Sequence, residues 1–212
     1  MRIGILGGGG DLGRGLALRW SRGHEVRIGS RVPERGAALA AQLASESGRR
    51  ITGGDNAAAL SDSDVAVLAV PFEGLAALAE SLDPPPGLVA VCPVVPMRRE
   101  AGAFYYTPPP EGSAAALLQR LWAGARVVAG FHSLSAGKLA EPGAVLDEFC
   151  FLCGDDGPAL AAAAGLAGEI EGVQAVALGG LRLAPMLESL TPLILTSARR
   201  LGRRHLGVKL VG

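Results

Sequence analysis

Arg2-Ile3-Gly4-Ile5-Leu6-Gly7-Gly8-Gly9-Gly10-Asp11-Leu12-Gly13-Arg14-Gly15-Leu16-Ala17-Leu18-Arg19-Trp20 decides the fold. Residues 2–6 are an apolar run of strand length. Leu12, Leu16 and Trp20 then recur every four residues, the face of a helix. Between the two, Gly8-x-Gly10-x-x-Gly13 has the spacing of a dinucleotide-binding turn. With 31 glycines in 212 residues, roughly 0.6 such matches are expected by chance, so the pattern alone decides nothing. Its position does. Directly between strand and helix, the glycines permit a tight turn, close approach of a pyrophosphate to the backbone, and close packing of helix on strand. The helix N-terminus adds unpaired N–H groups and a positive dipole end. Gly8, Gly9, Gly10, Asp11, Leu12 and Gly13 are therefore candidate cofactor-binding residues.

The same alternation continues outward. Glu25–Gly29 reads as a second strand, with Gly23 closing the helix before it. Pro33 opens a helix to about Ser47 that Gly48 ends. Asp64–Val70 is almost wholly apolar, as a strand covered on both faces should be. Phe72, Leu75, Ala79 and Leu82 trace a helix face. Leu88–Val91 and Arg126–Ala129 read as strands around a helix over Ser113–Trp122. Phe149–Leu152 and Gln174–Leu178 follow as strands, with an Ala-rich helix from about Pro158 to Ile170 between them. A final amphipathic helix carries the stripe Leu187, Leu190, Ile194, Ser197 and Leu201, and Pro192 inside it predicts a kink or restart. Strands alternating with helices mean an α/β, doubly wound parallel sheet. The reading places a Rossmann-type NADP-binding domain over 1–152 and a small C-terminal lobe with a long terminal helix over 153–212.

The end of the second strand selects the dinucleotide. An NAD site wants an acid about 20 residues beyond the glycines, for the ribose 2′-hydroxyl. Here Ser30 and Arg31 occupy that place, with Arg35 one helical turn later. A hydroxyl and two guanidiniums suit a 2′-phosphate, so NADP(H) is expected. The same glycines also fit Gly9-x-x-x-Gly13-x-Gly15, the spacing of short-chain dehydrogenases. The Tyr-x-x-x-Lys pair of those enzymes is absent: Pro109 and Pro110 stand four after Tyr105 and Tyr106.

Composition narrows the partners. Twenty basic residues balance twenty acidic ones, which argues against nucleic acid or a membrane surface, both of which call for a basic excess. The longest uncharged run, Pro84–Met97, is too short and too Pro-rich to span a bilayer. No signal-peptide core precedes Asp11, and three cysteines make no disulfide framework. A cytoplasmic protein is expected, and the apolar last helix suits a homodimer.

No acid–base catalyst stands out. His24 lies in a turn and His205 in a basic tail. Only His132 follows a strand on the ligand-facing side. Cys150 and Cys153, three apart in a strand, point to opposite faces. Asp155-Asp156 before Gly157-Pro158 reads as a helix cap. The Arg199, Arg200, Arg203, Arg204 cluster suits a helix C-terminus, or else attracts an anionic ligand. A dehydrogenase without a general acid suits an acceptor that takes hydride without needing a proton on oxygen. A flavin or a metal chelate would serve, and an NADP(H)-binding redox sensor needs the same cleft.

Several separated blocks, in order, resemble the F420H2:NADP oxidoreductase family over nearly the full length. They are the Arg2–Arg19 stretch, Gly29-Ser30-Arg31, Ala66-Val67-Leu68…Pro71, Pro93-x-Val95-Pro96, Cys153-Gly154-Asp155-Asp156 and Glu188-Ser189-Leu190-Thr191-Pro192-Leu193-Ile194-Leu195. The resemblance implies direct hydride transfer between NADPH and the deazaflavin coenzyme F420, through stacked rings rather than a side-chain acid. It implies pyrophosphate contact at Gly9–Leu12 and 2′-phosphate contact at Ser30, Arg31 and Arg35. Val70, Val95 and Ala136 would line the nicotinamide side, Pro71, Pro93 and Ser133 are further candidate cofactor-binding residues, His132 would stand beside the deazaflavin as the catalytic candidate, and Leu206 would wall its pocket. Three positions depart: the family often carries Thr at Gly9, a larger residue at Gly74 and Pro at Ser135.

Overall fold

Val65–Leu68 and Val89–Cys92 are buried at every position, which only a sheet covered on both faces allows. The computed structural model describes residues 1–212. In chain order its elements are β1 (Arg2–Leu6), α1 (Asp11–Trp20), β2 (Glu25–Ser30), α2 (Pro33–Ser47), β3 (Ile51–Asp55), α3 (Asn56–Leu60), β4 (Val65–Leu68), α4 (Phe72–Glu80) and β5 (Val89–Cys92). A hairpin of β6 (Met97–Glu100) and β7 (Ala103–Tyr106) precedes α5 (Ala114–Leu121), β8 (Arg126–Gly130) and α6 (Ala136–Ala140). Then come β9 (Glu148–Gly154), α7 (Gly157–Gly168), β10 (Val173–Ala177) and α8 (Ala184–Arg200). The main sheet runs β10-β9-β8-β5-β4-β1-β2-β3. It contains the doubly wound order with its switch point between β1 and β4, where ligands seat at the strands' carboxyl ends.

Alternating strand residues feed two cores. Ile3, Ile5, Val67, Val91 and Val128 pack with Leu16, Trp20, Leu43 and Leu166 of α1, α2 and α7. Leu6, Leu68, Ala90 and Ala129 pack with Leu60, Leu75, Leu118 and Leu187 of α3, α4, α5 and α8. Cys150 belongs to the first core and Cys153 to the second, the opposite-face arrangement expected of them. Burial raises both thiols to about 12.

The sheet is mostly parallel, and here one expectation needs correction. β9 pairs antiparallel with β8, while β10 follows β9 in parallel. An antiparallel return needs no full helical crossover, and only the five-residue α6 separates β8 from β9. The reversal puts Asp155 and Asp156 at the end of the sheet away from the switch-point loops. Asp156 caps α7 by accepting from the Ala159 amide at 2.8 Å, and Asp155 accepts from the Leu181 amide at 2.8 Å. It also puts Glu148, at the start of β9, beside the loop that follows β8. The boundary expected near Leu152 falls inside β9, and β10 extends the same sheet.

Smaller differences have local causes. α8 continues through Pro192 without a restart, the proline removing only one backbone N–H from the ladder. Gly23 has no left-handed φ and α1 ends at Ser21 in right-handed geometry, whereas Gly48 closes α2 at φ 65° as expected. Edge strand β3, in Ile-Thr-Gly-Gly-Asp, and the Arg-rich β6 lack the apolar periodicity that reveals a strand. No helix is long and apolar enough to cross a membrane.

The β1–α1 junction is a backbone-on-backbone contact. A Cβ at Gly13 would lie 2.6 Å from the Gly8 Cα, so α1 sits directly on the turn. Gly13→Ala should therefore destabilise the protein by about 1–3 kcal/mol. Gly165→Ala, on an open face of α7 with nothing within 4 Å, should stabilise it by about 0.5–1 kcal/mol. Urea unfolding midpoints check both.

Candidate functional site

Gly7 turns the chain out of β1 with φ +70°, and its amide is held by the Gly29 carbonyl at 3.0 Å and by Asn56 Oδ1 at 3.2 Å. Beyond it, Gly9 and Gly10 have open space where a Cβ would stand. Gly10 begins α1 without a capping side chain, so the first-turn amides at Asp11, Leu12 and Gly13 have no acceptor within the protein. Bare backbone, free N–H groups and a helix N-terminus make a seat for an anionic phosphate.

A cleft of about 880 Å³ opens beside this turn. Gly7, Gly9, Ser30, Arg31, Arg35, Val70 and Pro71 line it, with Asp55, Asn56, Glu73 and Gly74 across from them. Ser30 Oγ accepts from the Val32 amide at 3.2 Å, which holds the turn and leaves the hydroxyl hydrogen free to donate. Arg31 and Arg35 form no ion pair, not even with neighbouring Glu34, so two exposed guanidiniums face the cleft unneutralised. Two acids, Asp55 and Glu73, also line the cleft. Asp55 Oδ1 is engaged by the Ala58 amide at 2.7 Å, as the cap of α3. These residues fit a dinucleotide carrying an extra phosphate.

The remaining expected residues lie on the adjoining loops, not on the lining of that cleft. Pro93 is buried and Val95 half-buried after β5. His132, Ser133 and Ala136 follow β8, the next parallel neighbour of β5. Ser133 is spoken for: its hydroxyl donates to the Phe149 carbonyl at 2.6 Å and its own carbonyl accepts from the Val208 amide at 3.1 Å. Leu206 belongs to the tail that this last bond straps across the loop. His132 is 5% exposed. Both its ring nitrogens lack a hydrogen-bond partner, the Val94 carbonyl standing near but outside bonding geometry. Burial lowers its pKa to about 4, so the imidazole is neutral at neutral pH. Phe131 before it takes φ +69°, a conformation that costs a bulky residue of order 1–3 kcal/mol and is held by the packing around it.

Three buried charges that the sequence did not single out hold these loops in place. Arg19 ties α1 to the far end of α6, donating to the carbonyls of Leu139, Lys138 and Glu141 at 3.2, 3.3 and 3.0 Å. Gly15 lets the two helices touch: its Cβ would lie 2.7 Å from Leu139. Glu148 accepts from the Ser135 amide at 2.8 Å, at the start of α6. Glu188, fully buried in α8, accepts from the Ala114 and Ala115 amides at 3.0 and 3.1 Å and from the Tyr106 hydroxyl at 2.9 Å. It thereby binds the start of α5 and the hairpin to α8. Burial raises its carboxyl to about 7, against those three donors. The visible sign of Glu188 was one acid inside an apolar helical stripe. Asn56 gave no sign, because β3 before it was not legible.

Comparison with known proteins places this geometry. Residues 2–94 match the family model described as NADP oxidoreductase, coenzyme F420-dependent. The F420-dependent NADP reductase of Methanothermobacter thermautotrophicus is 36% identical over 99% of this chain and 94% of its own length. That of Methanocaldococcus jannaschii is 31% identical over 92% and 91%. The crystal structure of a proposed F420-dependent NADP-reductase from Arthrobacter sp. FB24 superposes with a TM-score of 0.83 at 26% identity, covering the whole of both chains.

The buried imidazole makes stability depend on pH. Above pH 6.5 His132 is neutral in both the folded and unfolded states. Between pH 6.5 and about 4 only the unfolded chain takes up the proton, so folding loses stability as pH falls. Relative to His132→Asn, the wild type should lose up to about 3 kcal/mol more between pH 7 and pH 4, read by urea unfolding across that range.

Proposed function

The chain belongs to the F420-dependent NADP reductase family, and from that membership we propose that it moves a hydride directly between NADP(H) and coenzyme F420. The observation that carries the cofactor choice is the convergence of Ser30, Arg31 and Arg35 on the cleft beside the glycine turn. Gly9, Gly10 and the first-turn amides of α1 hold the pyrophosphate, while Gly8 and Gly13 keep helix and strand close enough to present them. Ser30, Arg31 and Arg35 grip the 2′-phosphate. Val70, Pro71, Pro93 and Val95, on the loops after β4 and β5, form the apolar wall on the nicotinamide side, joined by Ser133 through its backbone and by Ala136 at the head of α6.

Bound NADPH supplies the hydride and the deazaflavin ring accepts it. The residues here orient the rings and keep water out. His132 would stand beside the deazaflavin as a neutral group rather than as an imidazolium acid, since burial lowers its pKa to about 4. Leu206 closes the pocket from the tail. We further infer that the protein works in the cytoplasm with small-molecule partners only, a reading supported by its balanced charge. Exposed Met186 and Leu193 on α8 support a homodimer.

Mixing the protein with NADPH and F420 should bleach the deazaflavin absorption, whereas free flavin should be reduced slowly or not at all. Rapid reduction of flavin with no effect on F420 would overturn the assignment. The double variant Arg31→Ala/Arg35→Ala should weaken NADPH binding about 10–100-fold, the worth of one or two charge-assisted hydrogen bonds. NADH binding should change by less than about twofold on the same grounds; an equal loss for both would refute the 2′-phosphate contact.

A further inference from the structure

The charges of this neutral chain are not evenly spread. Arg98 and Arg99 on β6, Arg199 and Arg200 at the end of α8, and Arg203 and Arg204 just beyond are all exposed. Against these six guanidiniums stands one ion-paired carboxylate, Glu100, which pairs with Arg98. The hairpin and the helix end are fixed side by side: the Phe104 amide donates to Thr196 Oγ1 at 2.9 Å, and the Arg199 guanidinium lies against Gly102 at the hairpin turn.

Helix capping does not explain the cluster. Three of the last four carbonyls of α8 are already satisfied by backbone, with the Leu201 amide on Ser197, Gly202 on Arg199 and Arg203 on Ala198. Gly202 supplies the left-handed turn at φ +61°. Arg98 and Arg99 lie on a strand, where no helix dipole acts.

The patch adjoins the loop after β8. Thr191 of α8 donates its hydroxyl to the His132 carbonyl at 2.9 Å, and Arg199 lies eight residues on, about 12 Å along the helix. Directly after Arg204, His205 packs on Gly137 beside Ala136, and Val208 bonds Ser133. Four extended residues span about 13 Å, so a ligand whose ring sits at the His132 loop can lay a short anionic chain across these arginines.

We propose that this arginine patch is the binding surface for the phosphate and glutamate tail of F420, separate from the ring pocket. The proposal rests on the F420 assignment above. Tail recognition by mobile surface guanidiniums is long-range and screened by salt, unlike ring stacking.

The test is equilibrium binding, by fluorescence titration, of intact F420 and of its tail-less deazaflavin chromophore. At low ionic strength F420 should bind the wild type about tenfold or more tighter than the chromophore. That gap should close at about 0.5 M salt, where charges more than ~5 Å apart are screened. Arg199→Ala/Arg203→Ala/Arg204→Ala should remove the gap while leaving the affinity of the chromophore unchanged. The corresponding Lys variant should keep it, since charge and not fork geometry carries the attraction. Equal affinity of the wild type for both molecules, or a gap that survives the triple variant, would overturn the patch and leave the F420 assignment standing. Failure of both molecules to bind would overturn the assignment itself.

Discussion

Backbone touching backbone at Gly8 and Gly13 is the constraint on which the site depends. Because neither residue has a side chain, α1 starts at van der Waals distance from the turn, and its free amides face the space above the sheet. The same helix then carries Gly15 and Arg19, which dock α6 and so the loop after β8. One helix thus sets the relation between a phosphate seat at its N-terminus and the loop holding His132 near its other end. Moving α1 outward by the width of a methyl group would disturb both.

The site is held by polar groups that the chemistry does not use. Arg19, Glu148 and Glu188 each spend a charge on backbone amides or carbonyls, and none of them pairs with an opposite side-chain charge. Buried charge is costly unless hydrogen-bonded. Here the bonds go to helix ends whose own groups would otherwise lack partners, while Arg19 Nη1 and Glu148 Oε1 are left without one. The arrangement fixes loops that carry little regular structure, which rigid ring-to-ring transfer requires.

Arginine placement divides into two kinds. Arg19 is buried and bonded through Nε and Nη2 to the end of α6, while Arg31 and Arg35 at the cleft, and the group on the hairpin and α8, stand exposed. A neutral total hides this division. Local excesses of positive charge thus stand on a chain whose total is neutral.

The amino-acid sequence by itself determined the glycine turn between β1 and α1, the order of the main strands and helices, and the grouping of Ser30, Arg31 and Arg35 that the cleft brings together. Those depend on local spacing, since the period of apolar residues and the placement of glycines act within one element and its neighbour. It also placed Cys150 and Cys153 on opposite faces and assigned Asp156 to a cap. Only the tertiary structure decided the antiparallel course of β9 and the strand identity of β3 and β6. The same holds for the engagement of Ser133 and the burial of Glu188, Glu148 and Arg19 at helix ends. Each of these depends on what lies across space rather than along the chain. Strand direction follows from where the chain returns, and a charge becomes a clamp only when a distant helix end meets it.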